Sequence, residues 1–334
     1  MKKIINDPAD VVEEMIEGFV KANEGKVHRV EDSRVVARDY EGKGKVGLVS
    51  GGGSGHEPTH AGFVGKGMLS AAVYGDVFTS PTPDQILTAI HAADKGAGVF
   101  LDIKNYTGDV MNFEMARDMA RDEGIQVEEV VIGDDIAVEN SLYTAGRRGV
   151  AGTLFFHKIL GALAEKGASL ADVLAESKKL QPEIKTIGVA LSAATTPQSG
   201  KPGFVLSDDE LEYGVGIHSE PGYRREKMKT SKEIAHELYS KIKAEFGLKK
   251  GDQVAVMVNG MGATPLMEQY VFANDVYQLL AADGIAVKKS LVGNYMTSID
   301  MAGLSLTIFR LSDPKWLGLL NAEADTPAWK EFNK

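Results

Sequence analysis

The chain contains no cysteine. That absence excludes disulfides, thiolate metal sites and a cysteine nucleophile together, so any covalent chemistry must use another side chain. No apolar run approaches the ~20 residues of a membrane helix, and the opening Met1-Lys-Lys-Ile-Ile-Asn-Asp7 has no apolar signal core. Neither a membrane partner nor export is expected, and the reading is cytoplasmic. Positive charge is in deficit: the formal net charge is -10. Sequence-independent nucleic-acid binding is therefore not expected, because too little cation is present to displace counterions from phosphates. One local basic run, Arg224, Arg225, Lys227 and Lys229, reads as a solvated loop, with contact to a partner protein as the alternative.

What is present is the composition of a globular protein, 43% hydrophobic and 25% charged. A length of 334 residues is long for one core, and two domains are expected. Apolar runs at Val46 to Val49, Met68 to Val73, Val99 to Ile103 and Ile125 to Ile132 read as buried strands. Helical spacing separates them: Val11 to Val20 behind an Asp7-Pro8 cap, Ile86 to Ile90, and Val110 to Met119. Thr59 to Val64 reads as a short helix. A new strand series starts at Thr186, with Val254 to Val258 its clearest member. The predicted fold is α/β, with two α/β domains, 1–183 and 184–334, each a largely parallel or mixed sheet covered by helices.

The most informative stretch is Ser50-Gly-Gly-Gly-Ser-Gly-His-Glu-Pro58, which follows the first strand. Strand ends of an open parallel sheet face a ligand crevice, and glycines there let backbone N–H groups approach a polar ligand. Three known glycine patterns fail. A phosphate-binding loop needs Lys after its last glycine, where this chain has His56. The dinucleotide pattern and the serine-hydrolase elbow around Ser54 both lack their final small residue.

Lys104 and Asp109 follow the third strand and so share the rim with His56, against the alternative of a solvated lysine and an aspartate capping a helix. Asp134 and Asp135 read as an exposed turn. Glu212 to His218 reads as a strand ending on a histidine, with a Pro-Gly turn after it. His28, His60, His91, His157 and His236 lack metal-ligand spacing and read as structural. No metal site is predicted. The Asn259-Gly-Met-Gly-Ala-Thr-Pro265 loop repeats the glycine grammar without a titratable group.

Three stretches together, Ser50 to Pro58, Ile103-Lys-Asn-Tyr-Thr-Gly-Asp109 and Gly214-Val-Gly-Ile-His-Ser-Glu-Pro-Gly222, resemble the dihydroxyacetone kinase family, specifically its substrate-binding subunit. Phe78 to Pro83, Ser141 to Gly149, Asn259 to Pro265 and Thr297 to Gly303 extend the resemblance over essentially the whole chain. Ser219 departs from it, standing where the family commonly has glycine.

The resemblance implies that His218 Nε2 adds to the ketone of dihydroxyacetone as a hemiaminal. It also implies that Gly53, Ser54, Gly55, His56, Lys104 and Asp109 surround the triose hydroxyls, with His56 or Asp109 accepting a proton during phosphoryl transfer. Covalent capture suits so small a ligand, since contacts alone supply at most roughly -1.5 kcal/mol per heavy atom. No nucleotide domain is recognised in the chain. The implied phosphoryl donor is a separate subunit carrying ADP and Mg2+, recharged by a phosphocarrier of the sugar phosphotransferase system and docking on a homodimer of this chain. Two alternatives follow: a non-catalytic dihydroxyacetone-binding paralogue acting as a transcriptional co-activator, and a single-chain ATP-dependent triose kinase.

Overall fold

The computed structural model describes residues 2–141 and 144–332; Leu142 and Tyr143 of the Ser141 to Gly149 stretch lie outside the described residues. Two six-stranded sheets organise the chain. The first contains β1 (Val27–Arg29), β2 (Val35–Arg38), β3 (Gly47–Ser54), β4 (Ala71–Val77), β5 (Val99–Lys104) and β6 (Val127–Ile132), in the order β1-β2-β4-β3-β5-β6. The last four are parallel, and β1 and β2 form an antiparallel edge. β3 and β5 are buried almost throughout, as strands covered on both faces should be. α1 (Val11–Ala22), α2 (Pro83–Ala93), α3 (Thr107–Asp122), α4 (Thr153–Glu165) and α5 (Leu170–Leu180) pack around this sheet.

The second sheet contains β7 (Ile184–Ala190), β8 (Glu210–Tyr213), β9 (Arg224–Lys227), β10 (Gln253–Gly260), β11 (Ala286–Gly293) and β12 (Gly303–Arg310), in the order β11-β10-β12-β7-β8-β9. It is mixed: only β10 and β11 are parallel. α6 (Ser231–Phe246) and α7 (Leu266–Ala282) pack against it. α8 (Lys315–Leu320) and the short pair β13 (Ala324–Asp325) and β14 (Lys330–Glu331) follow it in the chain. This is the expected α/β class with two helix-covered sheets. Among the described residues no helix is long and apolar enough to cross a membrane.

α4 joins the two halves. Apart from His157, Lys158 and Glu165 its sequence is dominated by apolar and small residues, the pattern of a helix enclosed in a core, and Leu154, Phe155, Phe156, Ile159 and Leu160 are all buried. They share one cluster with Leu48 and Phe100 of the first sheet and with Met257, Phe309 and Trp316 from the second half. Each large side chain buried in this way contributes ~1.5–3 kcal/mol, so a continuous core fixes the two sheet rims relative to one another.

Several local expectations are corrected. α1 begins at Val11 with Asp10 at its cap position, while the Asp7 carboxylate accepts from Ala9 N–H at 2.8 Å and closes a turn ahead of the helix. Residues 61–63 form a single 3-10 turn. Three of the four basic residues lie on the edge strand β9, with Arg224 paired to Glu237, Arg225 to Glu212 and Lys227 to Asp209, and Lys229 follows the strand, paired to Glu226. Asp134 and Asp135 are buried, each 2% exposed. Asp134 accepts from the Val150 and Gly152 N–H groups, and Asp135 accepts from Arg148 Nε at 2.8 Å. Those partners lie 13 to 18 positions further along the same connection between β6 and α4, which folds back over the two acids, and turn preference, a four-residue signal, cannot register that.

Candidate active site

The glycine run is mostly strand. Gly51, Gly52 and Gly53 pair with Val73, Tyr74 and Gly75 of β4, so they do not form a free cradle of N–H groups. Their role is to admit neighbours. Gly52 has φ +148°, and a Cβ there would stand 2.6 Å from Lys104 Nζ. Ser54 turns inward and donates to Gly75 O at 2.7 Å, and Gly55, at φ +106°, lies under the Phe78 ring. Of this group of predicted residues, Gly53 alone lines the cavity described next.

That cavity, about 710 Å3 in volume, lies between the rims of the two sheets and is lined by Gly53, Phe78, Tyr106, Thr107, Asp109 and His218 among others. Asp109 reaches it from the first turn of α3, whose cap position is Tyr106 and not Asp109. The positive end of the helix dipole favours a carboxylate there. Asp109 is buried, and its Oδ1 has no hydrogen-bond partner. Lys104 is also buried, against the solvated alternative; its Nζ donates to Gly51 O at 2.6 Å and stands 3.9 Å from Asp109 Oδ2. Burial pushes its pKa down, opposed by the Asp109 charge.

His218 comes from a loop beyond β8, which ends at Tyr213, and not from a strand end. Glu220 shapes that loop by accepting from the His218 backbone N–H at 2.9 Å and lying 3.1 Å from His218 Nδ1. Burial opposes ionisation of Glu220, but the His218 ring and then Arg148 hold its pKa down at about 2. A carboxylate only accepts, so His218 Nδ1 carries a hydrogen and Nε2 is left as the lone-pair nitrogen. The Tyr106 ring packs edge-on against His218 at 4.6 Å and the Phe78 ring at 5.1 Å. Phe78 itself is held at φ +57°, a costly conformation for an aromatic residue that only tight surroundings maintain.

His56 stands behind His218. Its Nδ1 lies 2.8 Å from Thr297 O, its Nε2 lies 3.0 Å from His218 Nε2, and its ring stacks on Phe78. Thr297 is positioned in turn by Asn259 at the end of β10, whose side chain accepts from Tyr295 and Met296 N–H and donates to Met296 O. That gives the second glycine loop a positioning role. The carbonyl of Thr297 requires a hydrogen on His56 Nδ1, so both Nε2 atoms that face each other are acceptors. They can bond only around one added proton. Burial, followed by the nearby His218 and Lys104 charges, pushes the His56 pKa well below its ordinary value, so His56 gives up an added proton readily.

A loop carrying a histidine with its reactive nitrogen bare, beside a buried acid and a second imidazole, suits reversible addition to a carbonyl. A family model described as the Dak1 domain matches residues 17–328. The chain belongs to the Dak1 domain family. It is 62% identical to the PTS-dependent dihydroxyacetone kinase 1, dihydroxyacetone-binding subunit DhaK, of Listeria innocua, over 98% of this chain and 100% of the relative. The solved structure of the dihydroxyacetone kinase operon co-activator Dha-DhaQ matches with a TM-score of 0.91 at 44% identity, covering 96% of this chain and 99% of that one. The solved dihydroxyacetone kinase of C. freundii matches with a TM-score of 0.89 at 36% identity, covering 99% of this chain and 60% of that one. A Dak1 chain of this size is thus similar both to a kinase subunit and to a co-activator.

Sequence reasoning missed Phe78, Tyr106, Glu220 and Arg148 as parts of this site, although each stood inside a stretch that it singled out. Glu220, two residues after His218, was the one most open to discovery, since a carboxylate that close to a histidine in a glycine-rich loop is a ready orienting partner.

Proposed function

We propose that this chain is the dihydroxyacetone-binding subunit of a phosphotransferase-system-dependent dihydroxyacetone kinase, working in the cytoplasm as a homodimer. The observation that carries the reading is His218: Glu220 on Nδ1 leaves Nε2 bare at the wall of a cavity that also holds Asp109. His218 Nε2 gives its electron pair to the central carbon of the triose, the carbonyl π pair moves to oxygen, and that oxygen takes a proton passed through His56 Nε2. The product is a hemiaminal whose ring keeps its Nδ1 hydrogen and is therefore a cation, paired with the Glu220 carboxylate. Residues Gly53 and Asp109, with Lys104 behind them, then hold the terminal hydroxyls.

In the second stage a terminal hydroxyl oxygen attacks the phosphoryl group of the donor, its proton passes to Asp109, and the donor's leaving oxygen departs with the bonding pair. Asp109 is assigned this proton because its Oδ1 is unpartnered and the residue lines the cavity, whereas His56 Nε2 is engaged with His218. The donor belongs to a separate subunit that carries ADP and Mg2+ and is recharged by a phosphocarrier of the phosphotransferase system. Bound there, the nucleotide and metal supply the activated phosphoryl group and neutralise its charge.

The test mixes the purified chain with dihydroxyacetone labelled at its central carbon. Carbon NMR should show a tetrahedral carbon in place of the ketone, and adding the charged partner subunit should yield dihydroxyacetone phosphate. A bound ketone signal would remove the covalent role of His218. A tetrahedral carbon without product would leave a triose-binding protein of the co-activator kind.

A further inference from the structure

A line of buried polar groups continues behind Lys104 and takes no part in the reaction above. Asp102 and Lys104 stand on one face of β5, since residues two apart on a strand point the same way. His60 lies in the segment after β3, and His157 lies within α4. Exposure is 0% for Asp102, 1% for Lys104, 4% for His60 and 0% for His157. The two imidazoles bridge the two charges. His157 Nδ1 lies 2.7 Å from Asp102 Oδ2, His60 Nδ1 lies 2.9 Å from His157 Nε2, and Lys104 Nζ lies 2.7 Å from His60 Nε2.

The direction of every link follows from the ends. The Asp102 carboxylate accepts, so His157 Nδ1 carries the hydrogen and its Nε2 accepts; His60 Nδ1 must then donate, which presents His60 Nε2 to the Lys104 ammonium. Burial, then the Lys104 charge, pushes the His60 pKa well below its ordinary value, consistent with a neutral ring. A buried ammonium or carboxylate without a counter-charge would lose its charge. Joined by a directed chain, the two ends support each other.

We propose that Asp102, His157 and His60 are positioning residues for Lys104, forming a buried relay that keeps its ammonium charged and aimed at Asp109 through phosphoryl transfer. The inference rests on the base role assigned to Asp109. Before transfer, Asp109 is a counter-charge 3.9 Å from Lys104. Once Asp109 has accepted the hydroxyl proton it is neutral, and Asp102 remains to balance the ammonium. Around the ammonium, Asp109 approaches from α3 and His60 and His56 from the segment after β3, while Gly51 O accepts a further hydrogen. Asp102 Oδ1 has no partner, so nothing else in the fold claims that carboxylate.

Asp102→Asn keeps an acceptor for His157 and removes the charge; His60→Gln breaks the relay at its other end. With the partner subunit present, each variant should lower kcat about tenfold, the effect of losing a supporting partner, with KM for dihydroxyacetone unchanged. The alkaline limb of the kcat profile should move to lower pH, because Lys104 then loses its proton more readily. In the ligand-free wild type, nitrogen NMR should find both His60 and His157 protonated at Nδ1. Nε2 protonation in the wild type, or folded variants with wild-type kcat and an unshifted limb, would overturn the relay. The tetrahedral carbon on His218 is read from the same samples, and its absence in the wild type would count against the function and leave the ring measurements standing.

Discussion

His56 Nε2 and His218 Nε2 stand 3.0 Å apart while the second nitrogen of each ring is already committed, to Thr297 O and to Glu220. One proton must lie between them for the contact to be favourable, and it is well placed to protonate the oxygen formed when His218 adds to a ketone. His56→Ala should therefore slow the appearance of the tetrahedral carbon after mixing, by the ~10²–10⁴-fold typical of a positioned acid or base. Its final intensity should hold, because a catalyst leaves the equilibrium alone. Loss of the signal at an unchanged rate would mean that His56 supports the adduct and does not form it.

Asp109→Asn separates capture from transfer. The amide keeps the shape of the cavity wall but cannot take a proton, so labelled dihydroxyacetone should still give the tetrahedral carbon while turnover with the partner falls by ~10²–10⁴-fold. Near-normal turnover would assign the proton elsewhere.

Glu220 predicts an acid limit to stability. Its folded pKa of about 2 lies below its ordinary 4.5, so its contribution is complete above 4.5 and is lost as pH falls from there through 2. A shift of this size corresponds to about 3 kcal/mol. Urea unfolding of Glu220→Gln should show a flatter dependence than wild type across that window and little difference in slope above it. An equally steep acid loss in the variant would place the effect on other carboxylates.

The Arg148 and Asp135 pair tests the support beneath the His218 loop. Both side chains are buried, and Arg148 also donates to Gly214 O at 2.7 Å, where that loop begins. Removing one partner strands the other, so Arg148→Ala or Asp135→Ala should each cost ~3–5 kcal/mol. The double substitution should cost less than the sum of the two. Additive losses in chemical denaturation would show the pair to be uncoupled.

Ser219 sits at φ +63°, where a residue with a Cβ costs roughly 1–2 kcal/mol, and its Oγ accepts from Ala194 N–H at 3.2 Å, a bond worth about 1 kcal/mol. The two effects nearly cancel. Ser219→Gly should change stability by less than ~1 kcal/mol and leave triose capture intact, and a large loss in either would give Ser219 a role of its own.

The sequence by itself located the parallel strands β3 to β6, the strands β7 and β10 and the helices α1 to α3, because apolar period and turn residues are local signals, and it placed His56, Lys104, Asp109 and His218 within recognisable stretches. The absence of cysteine had already narrowed the nucleophile. The tertiary structure decided which nitrogen is free and which charge is buried. Ser54 belongs to the sheet because Gly75 O lies opposite it, and Asp135 is an interior ion because Arg148, 13 positions on in the same connection, folds back onto it. His60 and His157 read as isolated structural histidines, 97 positions apart in the chain, until α4 brings their rings to 2.9 Å. A proton's position depends on what both nitrogens of a ring face at once, and those partners come from segments that are distant in sequence and meet only in the folded chain.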